Sequence, residues 1–200
     1  MRETVYTAKP LHVMPLAVAG VTVVQEVMVG AAEIQSQRER PMRESKRSLA
    51  IAAAEVPPRT KPSSYPEPFF SRMARREKRP LGDFFGLENF GVNLTTIEPG
   101  GETALMHSHS KQDEMIYIVQ GNPTLVTEAG ETTLTPGMCA GFRAGSVAHH
   151  VVNRSDRQAV LLEIGDRAKG DEANYPRDDL RAVMGEDGIW QFVHKDGTPY

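Results

Sequence analysis

Three histidines and one glutamate in the second half of the chain could hold a metal ion. His107 and His109 stand two residues apart, shortly after a glycine turn. Because side chains alternate between the two faces of a β-strand, both imidazoles would project from the same side of a sheet. Glu114 begins the next apolar run, where a hairpin would return its carboxylate towards the same cavity. His149, on a later strand, can add a third nitrogen.

This set of donor atoms favours a divalent transition metal. Three imidazole nitrogens and one carboxylate oxygen suit Fe, Mn, Ni, Cu, Co or Zn rather than Ca or Mg. Four protein ligands leave one or two positions open on an octahedral ion, and a catalytic metal requires such an open position. The single cysteine, Cys139, excludes an internal disulfide and every zinc site built mainly on thiolates. We expect Cys139 to be a small buried side chain within a strand.

The surrounding sequence predicts short strands rather than alternating strands and helices. Apolar and β-branched runs are separated by glycine and proline turns, which is typical of a β-sandwich or a small barrel. Nothing between residues 90 and 165 resembles a long amphipathic helix. The runs predict strands at residues 90–97, 114–119, 124–127, 132–135, 148–153 and 159–164, one more ending at Phe142, and a closing strand at 189–193.

The segment that carries the first two histidines resembles the first conserved motif of the cupin superfamily. Five residues stand at every fixed position of that motif: Gly101, His107, His109, Glu114 and Gly121. The second cupin motif is recognisable but imperfect, since Arg143 stands where the family usually has proline. The loop before His149 also holds one residue more than is usual. The resemblance covers residues 80–165.

This resemblance implies an all-β fold, a cupin-type jelly-roll barrel with a metal near its centre. The implied metal ligands are His107, His109, Glu114 and His149. The chain through its tail, residues 194–200, looks like a branch of small bacterial cupins whose members mostly lack an assigned reaction. The family also implies a homodimer, in which the segment at residues 48–70 could cross to the partner barrel.

Two residues of the second motif leave alternatives open. His149 and His150 are adjacent, so on a regular strand only one of them faces the barrel interior. The spacing to Asn153 selects His149 if the additional loop residue forms a bulge before the strand, whereas a bulge inside the strand would make His150 the ligand. Arg143 either clamps an anionic substrate at the barrel mouth or lies on a surface loop.

The charge distribution separates an N-terminal part from the barrel. Residues 1–80 hold 14 basic and 8 acidic residues, whereas residues 81–200 hold 9 and 18. Five prolines between residues 57 and 68 break any helix there, so residues 42–80 are interpreted as an irregular arm leading into a barrel at 81–200. Residues 1–41 are interpreted as an extension, either a disordered tail or an over-extended start before Met42. A secretion signal and an added strand are the alternatives.

Together these patterns indicate a cytoplasmic protein that binds a transition metal and a small organic ligand. The first hypothesis is a metal-dependent oxygenase or isomerase acting on a small molecule. The alternative is a non-catalytic module that binds or senses a sugar or an organic acid. We expect no nucleic-acid partner, because residues 1–80 lack the two amphipathic helices of a helix-turn-helix. We expect no membrane partner, because the apolar run at 11–29 contains Gln25 and Glu26.

Overall fold

The computed structural model describes residues 49–200. The interpretations of residues 1–41, as a tail, an over-extended start, a secretion signal or an added strand, therefore lie outside the described residues. Within residues 49–200, no helix is both long enough and apolar enough to cross a membrane.

Strands dominate this part of the chain, which confirms the predicted all-β fold class. Two short α-helices, α1 (Phe69–Arg72) and α2 (Leu81–Phe85), and two 3-10 turns, Ala53–Glu55 and Met73–Arg75, lie near its beginning. The strands are β1 (Arg76–Pro80), β2 (Phe90–Ile97), β3 (Ser108–His109), β4 (Glu114–Gln120), β5 (Thr124–Thr127), β6 (Gly130–Thr133), β7 (Cys139–Phe142), β8 (His149–Val152), β9 (Ala159–Asp166), β10 (Glu172–Tyr175), β11 (Leu180–Met184) and β12 (Trp190–Val193).

The strands form antiparallel sheets that enclose the barrel interior. A five-stranded sheet has the order β1-β2-β9-β4-β7, a four-stranded sheet β12-β11-β10-β3, and a three-stranded sheet β6-β5-β8. The two smaller sheets are joined through residues 102–107, which bridge to β8 at Glu102–Val152 and at His107–His149 and then continue into β3. The result is two antiparallel layers facing each other across one interior.

Strand β4 shows how the sequence selects the face that carries the glutamate. Ile116 and Ile118 are buried, whereas Met115, Tyr117 and Val119 are exposed. The strand is apolar on both sides, so composition alone does not choose a face, but the strict alternation of side chains does. Glu114 shares the inner face with the two isoleucines, and Tyr117 faces away from it.

Two apolar clusters occupy the interior, and the histidines contact both. The first cluster holds Ile97, Ile116, Ile118, Leu134, Phe142, Val151 and Leu161. The second holds Phe69, Met73, Leu105, Ala173, Tyr175, Leu180 and Ala182. The His149 ring stacks on Phe142 with centroids 3.4 Å apart, and the His107 ring stacks on Tyr175 at 5.9 Å. The imidazoles therefore lie between the two clusters, where packing restricts their rotation.

The arm contributes both a strand and core residues. Its last five residues form β1, which pairs with β2 from Arg76–Ile97 to Pro80–Asn93. Phe69 is buried in the second cluster, and Tyr65 packs against that cluster. Both side chains thus pack on the barrel of their own chain. The homodimer, and an arm crossing between subunits, stay predictions.

The prediction that Cys139 is buried is wrong. Cys139 is exposed, because β7 directs Ala140 and Phe142 inwards and leaves the alternate positions on the outer face. There Cys139 pairs with the exposed Tyr117 of β4. The error has a simple origin: the run is apolar at every position, so its composition gave no indication of which residues face outwards.

Candidate metal centre

Main-chain pairing brings two of the three histidines side by side. His107 N–H donates to the His149 carbonyl (3.1 Å), and His149 N–H donates to the His107 carbonyl (2.8 Å). Side chains of such an antiparallel pair project from the same face. His109 lies two residues further, on β3, and therefore projects in the same direction as His107. Glu114 reaches the group from the first position of β4, on the opposing sheet.

The three predicted histidine ligands converge on one carboxylate oxygen of the fourth predicted ligand, Glu114. Glu114 Oε2 lies 3.6 Å from His107 Nε2, 3.7 Å from His109 Nε2 and 3.2 Å from His149 Nε2. The ligand atoms of His107, His109 and Glu114 all lie within 4.8 Å of one another. Among the described residues, Glu114 Oε2 is the buried side-chain oxygen that has no hydrogen-bond partner.

The second nitrogen of each imidazole faces an oxygen acceptor. His107 Nδ1 lies 2.8 Å from the Leu105 carbonyl, and His149 Nδ1 lies 3.5 Å from the Val147 carbonyl. His109 Nδ1 lies 2.5 Å from Asp171 Oδ2. An Nδ1–H that donates to these acceptors leaves the lone pair of Nε2 directed at Glu114.

Four electron-pair donors then face one another without a proton between them. Such an arrangement is unfavourable in a buried site unless a positive charge lies at its centre. Neutral imidazole nitrogens and a carboxylate oxygen are also the donors that divalent transition metals accept. The residues therefore fit a bound cation, and the unpartnered oxygen of Glu114 is the observation that indicates it.

The acidic groups of the site are held in their ionised form. Burial would raise the pKa of Glu114, but the surrounding imidazoles of His107, His149 and His109 hold that pKa well below its usual range. Asp171 is fully buried. Burial opposes its ionisation too, but hydrogen bonds from His109, the Lys111 N–H and the Ser110 hydroxyl lower the pKa of Asp171. An anionic Asp171 fixes the orientation of the His109 ring.

The geometry distinguishes the two adjacent histidines. Strand β8 pairs with β5 in regular register from His149 to Val152, without a bulge inside the strand. His149 therefore faces Glu114, whereas His150 faces the other way and its Nδ1 lies 2.9 Å from Glu102 Oε2. The structure places His149, not His150, beside the carboxylate.

Two cavities adjoin the cluster, and the same four residues line both. The first, of about 200 Å³, also contains His149, Asn93 and Gln112. The second, of about 210 Å³, also contains His109, Tyr65, Tyr175, Trp190 and Phe192. The shared lining residues are His107, Glu114, Lys78 and Glu163. A small molecule in either cavity would touch the predicted metal ligands.

An ion pair on the inner face of the large sheet was not predicted. Lys78 Nζ lies 2.9 Å from Glu163 Oε2, and the same oxygen accepts a hydrogen bond from the Thr95 hydroxyl. Burial lowers the pKa of Lys78, although the charge of Glu163 opposes that effect. Strand alternation could have identified Glu163, because it follows Ala159 and Leu161 on the buried face of β9. Asp171 directly precedes β10 and has no comparable sequence signal.

Other candidate residues lie outside the cluster. Arg143 is exposed on the turn after β7 and lines neither cavity, as expected of a surface arginine. Trp190 and Phe192 pack against the second apolar cluster, as expected of barrel-wall residues, and they also line the second cavity.

Fold and site together define a class of protein: a small antiparallel β-barrel whose interior presents three histidines and one glutamate to a cavity. Sequence comparison agrees, since the Cupin domain family matches residues 93–165. A solved structure from Silicibacter pomeroyi, described as a sugar phosphate isomerase of the cupin superfamily, is 36% identical with a TM-score of 0.71. The match covers 76% of this chain and 96% of that one. The protein belongs to the cupin superfamily.

A second solved structure is also similar to this chain. A protein from Acidithiobacillus ferrooxidans, described as a candidate sugar phosphate isomerase, is 32% identical with a TM-score of 0.57. The match covers 62% of this chain and 80% of that one. No curated protein matches the sequence significantly.

Proposed function

We propose that this protein is a metal-dependent isomerase that interconverts a small aldose phosphate and its ketose. The observation that carries the proposal is the buried, unpartnered Oε2 of Glu114, directed at the Nε2 atoms of three histidines. The names of the two similar structures, one described as a sugar phosphate isomerase and the other as a candidate for that activity, support the reaction class. The fold alone would not support a particular reaction class, since one barrel fold occurs in proteins with many different functions.

A divalent cation held by His107, His109, Glu114 and His149 would supply a Lewis acid that polarises the substrate carbonyl and its adjacent hydroxyl. The Nδ1 contacts to Leu105 and Asp171 keep the His107 and His109 rings oriented so that their Nε2 atoms face the cation position. Aromatic rings of Tyr175 and Trp190 line the second cavity and limit the water that reaches a bound substrate.

Isomerisation also requires a base that moves a proton between neighbouring carbons. Glu163 is the carboxylate outside the ligand set that lines both cavities. It would accept the proton from the carbon beside the carbonyl and return it to the carbonyl carbon, while the hydroxyl proton moves between the two substrate oxygens. Lys78, at 2.9 Å, holds the carboxylate in place and balances its charge.

Solvent-deuterium exchange tests this function directly. Protein purified without chelator is incubated in D2O with triose, tetrose, pentose and hexose phosphates, and the products are analysed by NMR. We expect metal in the purified protein, one deuteron incorporated at the carbon that was the carbonyl carbon of the substrate, and loss of turnover after chelation.

The Glu163→Gln variant should lower kcat by about 100-fold or more, which is the size of the contribution that a general base makes to the rate. Its metal content should be unchanged. Glu128→Gln, a change at an exposed loop residue, serves as the matched control and should leave kcat unchanged. A metal-replete protein that binds a sugar phosphate without exchange or turnover would instead support the non-catalytic binding module. A protein that takes up no transition metal on reconstitution would contradict the metal-dependent isomerase and would leave the non-catalytic binding module as the explanation.

A further inference from the structure

Three basic side chains line one wall of the second cavity: Arg59, Arg76 and Lys78. Arg76 and Lys78 are two residues apart on β1, so both project from its inner face. The arm runs beside this strand, because Arg59 N–H donates to the Lys78 carbonyl at 2.8 Å. Arg59 is exposed, whereas Arg76 and Lys78 are half-buried. The cluster therefore extends from the surface into the interior.

The charges of this cluster are only partly compensated. Lys78 pairs with Glu163, but within residues 49–200 neither Arg59 nor Arg76 has a carboxylate within 4.0 Å. Burial lowers the pKa of Arg76, and the nearby charge of Arg59 lowers it further, against the opposing effect of Glu163. Like charges gathered beside a cavity are costly unless an anion neutralises them.

The guanidinium of Arg76 is also held in a fixed orientation. It donates to the Thr103 carbonyl and to Ser63 Oγ at 3.3 Å, and it lies over the Tyr65 ring, 5.9 Å from the centroid. Ser63, Ser64 and Tyr65 line the same cavity and present hydroxyl groups. A pre-oriented guanidinium fork with neighbouring hydroxyls and a second arginine matches the oxygens of a phosphate group.

We propose that Arg59, Arg76 and Lys78 form a subsite that binds the phosphate group of a phosphomonoester. The predicted metal ligands His107, His109 and Glu114 line the same cavity. One molecule can therefore contact both the phosphate subsite and these metal ligands. The proposal rests on the proposed function for the identity of the sugar, but phosphate binding itself needs no metal. A doubly charged phosphate matches two uncompensated arginines better than a singly charged carboxylate does.

Calorimetric titration of the full chain with glycerol 3-phosphate tests the subsite. The protein is first stripped with chelator, and glycerol and lactate serve as the neutral and the carboxylate probe. We expect binding of glycerol 3-phosphate alone. Replacing Arg59 with glutamine, or Arg76 with lysine, should weaken it by about ten-fold or more, the value of a charge-assisted hydrogen bond. The matched control Arg143→Gln removes the same charge from a residue that lines neither cavity and should change the affinity by less than about two-fold.

Equal affinities in the Arg59→Gln and Arg143→Gln variants would overturn the proposal, as would tighter binding of lactate or no phosphate binding by the stripped wild-type protein. Circular dichroism of each variant shows that it is folded. If the Arg76→Lys variant fails to fold, the affinity of the Arg59→Gln variant, which changes an exposed residue, still tests the proposal. Metal content after reconstitution is measured on the same samples, so a failure of the metal centre is distinguished from a failure of the phosphate subsite.

Discussion

Replacing Glu114 by glutamine should have opposite effects on the metal-free and the metal-loaded protein. The Oε2 atom of Glu114 is buried without a hydrogen-bond partner and faces three imidazole nitrogens. A buried group left unsatisfied costs about 1–3 kcal/mol. The amide of glutamine adds N–H donors for those nitrogens, so we expect the metal-free variant to be at least as stable as the wild type.

The metal-loaded protein should respond in the other direction. A ligand present at about 100 times its Kd stabilises the native state by about 2.7 kcal/mol. Outer-shell partners alone change metal affinity by about 10–100-fold, so loss of the anionic ligand should cost at least about 100-fold. At the same metal concentration the stabilisation then falls to about 0.4 kcal/mol. The metal-induced rise in Tm should decrease from about 5–11 °C to less than about 2 °C.

Thermal unfolding with and without added metal, after chelator treatment, measures both effects. Glu163→Gln is the matched control, since Glu163 lines the same cavities but pairs with Lys78. We expect that control to lose stability in the metal-free state and to keep the metal-induced rise in Tm. A metal-free Glu114→Gln variant that is destabilised by more than about 1 kcal/mol, the scale of a lost hydrogen bond, and that still shows the full metal-induced rise in Tm would contradict both expectations.

Three further outcomes are expected. Asp171→Asn should weaken metal binding by about 10–100-fold, because Asp171 orients the His109 ring; a competition titration with a chromogenic chelator measures this. His149→Ala should abolish stoichiometric metal binding, whereas His150→Ala should retain it, as elemental analysis of the two variants will show. The exposed Cys139 should react with a thiol reagent in the folded protein as fast as in the denatured protein, and slow reaction that requires unfolding would contradict its placement.

The sequence predicted most of the barrel because the signals there are local. Strands β2 and β5 have the predicted boundaries, since alternation and flanking turns define them without help from distant residues. Strands β10 and β11 were missed, because each is short and β10 sets the buried Ala173 and Tyr175 between polar residues. Only pairing with each other and with β3 gives those residues a strand environment.

The candidate site shows the same division between local and non-local information. The spacing of His107, His109 and Glu114 indicated their convergence, because a strand and a hairpin fix it locally. The partner of His109 was not predictable, since Asp171 lies 62 residues further along the chain. Lys78 was assigned to an irregular arm, and only the pairing of β1 with β2 places it in the interior.

Anomalous diffraction from crystals of metal-reconstituted protein would show whether the three histidines and Glu114 hold an ion. Data collected on both sides of the absorption edge of the added metal locate the ion and identify it. We expect one strong peak at about 2.0–2.3 Å from Nε2 of His107, His109 and His149 and from a carboxylate oxygen of Glu114. A fully reconstituted crystal with no peak at Glu114, or with the ion at His150 and Glu102 instead, would contradict this expectation.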